Sequence, residues 1–360
     1  MDRTWQVALM YFTTHLGLIF LLYPGNIISS TQDGHWLPIM IGFGIHILAI
    51  TFYLKGLEFL GNKDMITLFL ESGKGMSLMI LLPVALYSLM ICIITVRAYS
   101  EIMTIVFLSS TPLWAVMVLF LIISTYIAFK GMGSMLRTSV LIVCLCLPVI
   151  VSFTSASFQN IDWRYIFPLV DNVLFLKERE YFESFFAFAG GFLFLGFVQP
   201  FGTFRSRGIY IASLALLPFL LLSVYIPVLT FGQATASTFH FPYIVALDTI
   251  YIPWLMFDRI TIFFFLCLIM FTMLFLSVVL WSTMRVIHRS FPVLKPSYIL
   301  LVIAIFVFMI CLTIPAWEDI EEIFWWNTYL RFYILFTVPV STFVFGKRYK
   351  RKVTRNAVDS

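Results

Sequence analysis

Apolar residues in this chain come in long unbroken blocks, not in alternation. Ten such runs lie near 5–28, 37–59, 77–107, 113–129, 139–156, 181–202, 208–232, 259–284, 298–315 and 327–346. A helix rises about 1.5 Å per residue, so a block of about 20 residues crosses about 30 Å of hydrocarbon. Strands of a membrane barrel would instead alternate over about 10 positions. The pattern therefore predicts ten transmembrane helices. The third run is long enough to tilt or protrude. The first lacks a small-x-small cleavage site and is expected to stay in place as a span.

Composition agrees with the pattern. Of the 360 residues 61% are hydrophobic and 11% charged, with a mean hydropathy of +0.99. Soluble domains carry about 25% charged residues, so this chain cannot cover itself with a water-compatible surface. It reads as an all-α integral membrane protein in a lipid bilayer. The five cysteines, Cys92, Cys144, Cys146, Cys267 and Cys311, fall inside apolar runs, too scattered for a metal or redox motif, and read as packing residues.

The net charge of +5 matters for where it sits. With the N-terminus inside, the inner segments hold Arg3; Lys55, Lys63 and Lys74; Lys130 and Arg137; Arg205 and Arg207; Arg285, Arg289 and Lys295. The tail adds Lys347, Arg348, Lys350, Arg351, Lys352 and Arg355, whereas the outer loops hold only Arg164, Lys177 and Arg179. This is the positive-inside asymmetry, and it predicts both termini cytoplasmic. The basic tail then serves orientation and needs no nucleic acid. Outside, 157–180 and 233–258 are long, aromatic and proline-containing, and expected to be ordered. The acidic stretch AWEDIEEIFWW at 316–326 is expected as a short helix on the outer face, and 61–76 as an interfacial helix on the inner one.

Ten spans divide into two sets of five. Five is odd, so the second set enters the membrane upside down relative to the first. This is the inverted-repeat, LeuT-like plan of many secondary transporters, in which the first helix of each repeat is discontinuous near the midplane. The expected organisation is one transmembrane domain over 1–360. It comprises a first repeat at 1–156, an outer loop at 157–180, a second repeat at 181–346 and a basic cytoplasmic tail at 347–360.

Spans one and six should then both be broken. Span one, YFTTHLGLIFLLYPGNI, carries Gly17 and then Pro24-Gly25; span six, FAGGFLFLGFVQPFG, carries Gly190-Gly191, Gly196, Pro200 and Gly202. Glycine costs about 1 kcal/mol and proline about 3 relative to alanine in a helix interior. Lipid offers no hydrogen bonds, so an unwound stretch survives only against protein or a wet cavity. Its half-helix ends offer N–H groups to a carboxylate and carbonyls to an ammonium or cation. The other reading of these glycines is close helix packing.

Few polar residues interrupt the spans. Arg97 and Glu101, four apart, share a helix face and are expected to pair, as a structural or a gating ion pair. Glu183 opens span six and Asp258-Arg259 opens span eight, both on the outer side, as anchors around an entry path or as snorkelling end residues. His15 and His46 are either packing residues or a proton relay. No metal-ligand cluster, phosphate-binding loop or nucleophile elbow is present, so neither an enzyme nor a cofactor is expected.

Several segments together are similar to a known family. THLGLIFLLYP (14–24), Thr111-Pro112 after Arg97 and Glu101, NIDWRYIFPL (160–169), FESFFAFAGGFLFLGF (182–197) and FDRITIFFF (257–265) carry the likeness. With these the chain resembles the B subunit of endospore germinant receptors, the spore germination permeases of the amino acid–polyamine–organocation superfamily. One departure is visible: the family often shows Gly-x-Gly in span one, but here Leu18-Ile19 follow Gly17. The resemblance implies a subunit of the spore inner membrane that works with a larger A subunit and a lipoprotein C subunit. It would sense a small-molecule germinant such as an amino acid, sugar or nucleoside. The ligand is expected between spans one, three, six and eight, near Gly17, Leu18, Gly190 and Gly191, with Thr14, Tyr99, Phe194 and Thr272 as walls. Arg97, Glu101, Glu183 and Arg259 are expected as structural or gating charges. The alternatives are an active amino acid or cation permease, and a scaffold or ion-conducting subunit without a ligand of its own.

Overall fold

A computed structural model describes residues 3–61, 63–169, 173–198, 204–250, 261–290 and 292–358. The first span is two helices, α1 (Arg3–Ile19) and α2 (Leu22–Ser30), bent by 58° at Phe20-Leu21. Then come α3 (Trp36–Glu58), a short α4 (Met65–Glu71), α5 (Lys74–Val106), α6 (Leu113–Phe129) and α7 (Met132–Ala156). The sixth span is in pieces: α8 (Arg179–Ser184), α9 (Phe186–Ala189) and α10 (Leu195–Val198). After it follow α11 (Ser206–Phe231), the short α12 (Gln233–Ala236) and α13 (Pro242–Asp248), α14 (Thr261–Ser290), α15 (Pro296–Thr313), α16 (Trp317–Phe332) and α17 (Val338–Val358). No strand occurs among the described residues.

Seven helices are long and apolar enough to cross a membrane, and the bent α1–α2 pair makes an eighth. The 17-residue α6 and the interrupted α8–α10 segment take the fourth and sixth places. All ten expected spans are therefore present, as a multi-pass membrane protein. Both helix starts and ends sort to two faces of the bundle. Thr4, Glu58, Arg205 and Tyr349 share one end, where Arg205 N–H bonds Thr4 Oγ1 (3.4 Å), Glu58 takes the Ser206 hydroxyl and Lys63 lies 4.8 Å from the Tyr349 ring. Thr31, His35, Gln233 and Arg179 mark the far end, where the Gln233 amide donates to Ile28 O and Thr31 O (both 2.9 Å).

Central position falls to α1, which packs on α7, α11 and α14. That placement explains why it is buried almost all round, from Val7 to Ile19, rather than along one stripe. Elsewhere glycine sets the approach. A Cβ on Gly56 would sit 2.7 Å from Phe343 N, and one on Gly346 would sit 2.6 Å from Gly56 O, so α3 and α17 touch backbone to backbone.

One expectation needs correction, and two gain detail. The stretch 316–326 is not a separate surface helix. It is the beginning of the tenth span, continuous from Trp317 through a π turn at Tyr333–Thr337 into α17. Its carboxylates Glu318 and Asp319 sit in the first turn, where they favour the positive end of the helix and Asp319 caps the Ala316 N–H (3.1 Å). The expected interfacial helix is α4, and it docks on protein. Asp64 caps it through Thr67 N–H (2.8 Å) and pairs with Arg285 of α14 (2.9 Å), while Met65, Ile66, Leu68 and Phe69 are buried. Finally, the break in span one falls at Phe20-Leu21, a turn after Gly17. Pro24 accounts for it: it has no N–H for the Phe20 carbonyl, and its ring excludes that oxygen.

Candidate functional site

The two interrupted spans cross beside each other. In span six the helix stops at Ala189 and restarts at Leu195 through tight turns, with Leu195, Gly196 and Phe197 N–H bonding three residues back (3.1, 3.1 and 2.9 Å). Neither Gly190 nor Gly191 adopts a positive φ, so these glycines are there for room. A Cβ on Gly190 would meet Ile91 Cδ1 at 2.9 Å, and one on Gly191 would meet His15 Nδ1 at 2.7 Å.

Unwinding frees carbonyls, and the neighbours supply the donors. Thr14 Oγ1 donates to Gly191 O (3.2 Å), which ties span one to the break in span six. Tyr53 of α3 donates its hydroxyl to Leu193 O (3.0 Å). On the other side the Tyr99 hydroxyl of α5 donates to Gly17 O, and Thr272 Oγ1 of α14 approaches the same oxygen at 3.4 Å. Five of the expected residues, Thr14, Gly17, Tyr99, Gly191 and Thr272, are therefore joined into one buried set drawn from spans one, three, six and eight. Leu18 and Phe194 are buried beside it, and Gly190 fits between Ile91 and Phe275.

A second network adjoins this one. Ser213 Oγ donates to the Tyr11 hydroxyl (2.9 Å), which lies 2.6 Å from His46 Nε2. His15 Nδ1 donates to Tyr11 O (2.7 Å), and the His15 and His46 rings meet edge to face at 5.1 Å. A carbonyl only accepts, so that bond places the His15 proton on Nδ1 in the neutral ring. His15 and His46 thus belong to one chain, with His15 pressed on Gly191. Sequence reasoning had the two histidines but not Tyr11, Ser213 or Tyr53, whose roles appear only when α3 and α11 close on α1.

Charges gather at the far end. Arg97 is 2% exposed; it pairs with Glu101, and its Nε and Nη2 hold Ile314 O where α15 ends (3.3 and 3.2 Å). Glu183 takes Arg179 Nε at 2.8 Å. Both pairs are present, and both fasten helix ends. Beside the Arg179–Glu183 pair lies a cavity of about 370 Å³, lined among others by Asn26, Ser29, Ala98, Glu183, His240 and Glu321. Arg259 and Asp258, with Pro200 and Gly202 of span six, lie outside the described residues. Missing from the expected set was Arg331, a fully buried arginine that holds Glu183 O (2.9 Å) and Phe182 O (3.3 Å). A charged residue inside an apolar run was its signal.

Two broken helices crossed at mid-bundle, with a polar cavity on one side, define a membrane protein of transporter-like architecture. The family profile described as spore germination protein matches residues 3–319, and the chain belongs to that family. Spore germination protein B2 of Bacillus subtilis (strain 168) is 24% identical over 187 residues, covering 50% of this chain and 51% of that protein, so the match spans about half the length of that relative. Among solved structures, MhsT in complex with L-phenylalanine superposes with a TM-score of 0.64 over 97% of this chain and 98% of its own, at 10% identity. That likeness identifies the fold as LeuT-like. The chain is therefore a germination-related membrane protein on a transporter-type fold.

Proposed function

We propose that the chain is the germinant-sensing membrane subunit of a spore germination receptor. It binds a small nutrient ligand at the crossed breaks and passes the event to A and C subunits. The observation that carries this reading is the joining of Thr14, Gly17, Tyr99, Gly191 and Thr272 across four spans around the two interruptions. Tyr99 gives its hydroxyl to the Gly17 carbonyl at the break, while Thr272 Oγ1, bonded to Leu268 O in its own helix (2.8 Å), approaches the same oxygen at 3.4 Å. A ligand that competes for those hydroxyls or for the Gly17 and Gly191 carbonyls therefore favours one arrangement of the half-helices over another, and shifts the equilibrium by its differential affinity. Coupling to partner subunits follows from the same shift. Every one of these residues is buried, so a ligand reaches them when the half-helices part. The cavity beside Glu183 and His240 is the way in.

The charge asymmetry supports a topology with both termini in the cytoplasm and the cavity on the outer face, in the spore inner membrane on this reading. Sensing is favoured over coupled transport because no carboxylate belongs to the hydrogen-bonded set at the breaks among the described residues. Spores carrying Tyr99→Phe with Thr272→Val test the site. At normal subunit levels, the germinant concentration for half-maximal response should rise at least tenfold; an unchanged dose response refutes the assignment. Reconstitution into liposomes separates sensing from transport, since robust substrate accumulation would favour the permease.

A further inference from the structure

Arg331 stands in the tenth span without a carboxylate in ion-pair contact among the described residues. Its side chain is 0% exposed. The Glu183 carboxylate is held by Arg179 at 2.8 Å, and what Glu183 gives the guanidinium directly is its backbone carbonyl. Its Nη1 donates to Phe182 O (3.3 Å), Glu183 O (2.9 Å) and Thr328 Oγ1 (3.3 Å); its Nη2 donates to Phe324 O and Asn327 Oδ1 (both 3.3 Å). The faces of Phe186 and Phe324 lie 5.4 and 4.6 Å away. These neutral acceptors disperse the charge without neutralising it, and burying a charge unpaired is costly.

What remains open around this guanidinium can all donate. Arg331 Nε, Asn327 Nδ2 and the Tyr87 hydroxyl are buried without a partner, in side chains that are each 0% exposed. Asn327 touches the guanidinium, and the buried Tyr87 belongs to α5, which packs against α16. Nε–H and Nδ2–H can only donate, and a phenol has a proton to give. Three donors and a positive charge call for an acceptor that is itself negative. A water molecule would satisfy the donors and leave the charge; a cation would satisfy neither.

We propose that Arg331, Asn327 and Tyr87 form a binding site for a compact monovalent anion, a halide or a carboxylate group, between spans three, six and ten. The site has a consequence for the fold around it. The same guanidinium grips the last carbonyls of α8, the far-end piece of the broken span six, so occupancy sets how firmly that piece is held. The site stands apart from the hydrogen-bonded set at Gly17 and Gly191 and does not rest on the germinant reading.

The test uses the full chain purified in lipid nanodiscs, with thermal unfolding followed while chloride replaces gluconate at constant ionic strength. The midpoint should rise with chloride and saturate. Bromide should act alike if the occupant is a halide, and formate should substitute if it is a carboxylate group. In Tyr87→Phe, which removes one donor, and in Asn327→Leu, which removes the Nδ2 donor together with the Oδ1 acceptor of Arg331 Nη2, Arg331 is kept and the half-saturating concentration should rise at least tenfold. A midpoint indifferent to chloride, bromide and formate overturns the proposal and leaves Arg331 as a strut between α16 and α8. So does saturation that is identical in the wild type and both variants.

Discussion

Replacing Gly191 by alanine puts the packing at the crossed breaks to a quantitative test. The added methyl would lie 2.5 Å from His15 Cε1, 2.7 Å from Nδ1 and 2.8 Å from Nε2. Ordinary contact begins near 3.4 Å, so from 2.5 Å the ring must retreat by about 0.9 Å. It has little freedom to do so. Nδ1 is bonded to Tyr11 O at 2.7 Å, the Tyr11 ring lies at 4.2 Å and the His46 ring at 5.1 Å. Losing that hydrogen bond costs about 1 kcal/mol, and overpacking adds about 1–3 kcal/mol. The lower entropy of the unfolded alanine chain returns about 0.4–1 kcal/mol. A net loss of about 1–4 kcal/mol is expected. Thermal unfolding of purified protein reads it, with Gly44→Ala as the comparison, since a Cβ there meets nothing within 4 Å. Gly44→Ala should be neutral or gain up to about 1 kcal/mol from helix propensity. In the double variant Gly191→Ala/His15→Ala the methyl gains room, so the two effects should depart from additivity by about 0.5–3 kcal/mol. The reasoning fails if Gly191→Ala unfolds no earlier than Gly44→Ala, or if the double variant is additive.

Other outcomes follow from the same contacts. Gly56→Ala sets a methyl 2.7 Å from Phe343 N and Thr342 C; backbone yields less than side chains, so a loss at or above about 3 kcal/mol is expected, with low membrane abundance as the readout. Tyr99→Phe alone leaves Gly17 O with the longer Thr272 contact at 3.4 Å, and should cost about 1–3 kcal/mol in thermal stability. At the loop, hydrogen bonds from the Arg164 side chain and then its backbone hold the Asp162 carboxyl down at about 2. A depressed folded value means the contribution is present above the unfolded value near 3.9 and is lost only as pH falls through about 2. Trp163 fluorescence should therefore stay flat from pH 7 to 4, and a transition inside that window in the wild type would contradict the pairing.

The apolar blocks by themselves determined the membrane class, the ten spans and their approximate limits. A run of about 20 residues without charge has no stable alternative to spanning as a helix. Five plus five then implied inversion, and Gly190-Gly191 marked the weak point of span six correctly. Sequence also put Thr14, Gly17, Tyr99 and Thr272 near one another through the family likeness, not through spacing. Tertiary structure decided the rest. Pro24 acts on the carbonyl of Phe20, so the bend in span one lies between Gly17 and Pro24-Gly25. The acidic run after Ala316 looked like a surface helix because its charge outweighed its continuity, yet carboxylates are at home in the first turn of a spanning helix. The partners of the freed carbonyls come from α1, α3, α5 and α14, and those of Arg331 outside its own helix from α8. None of these pairings has a signature along the chain, because hydrogen bonds between spans depend on helix rotation and approach. Rotation and approach are set by packing at contacts such as Gly56 on Gly346.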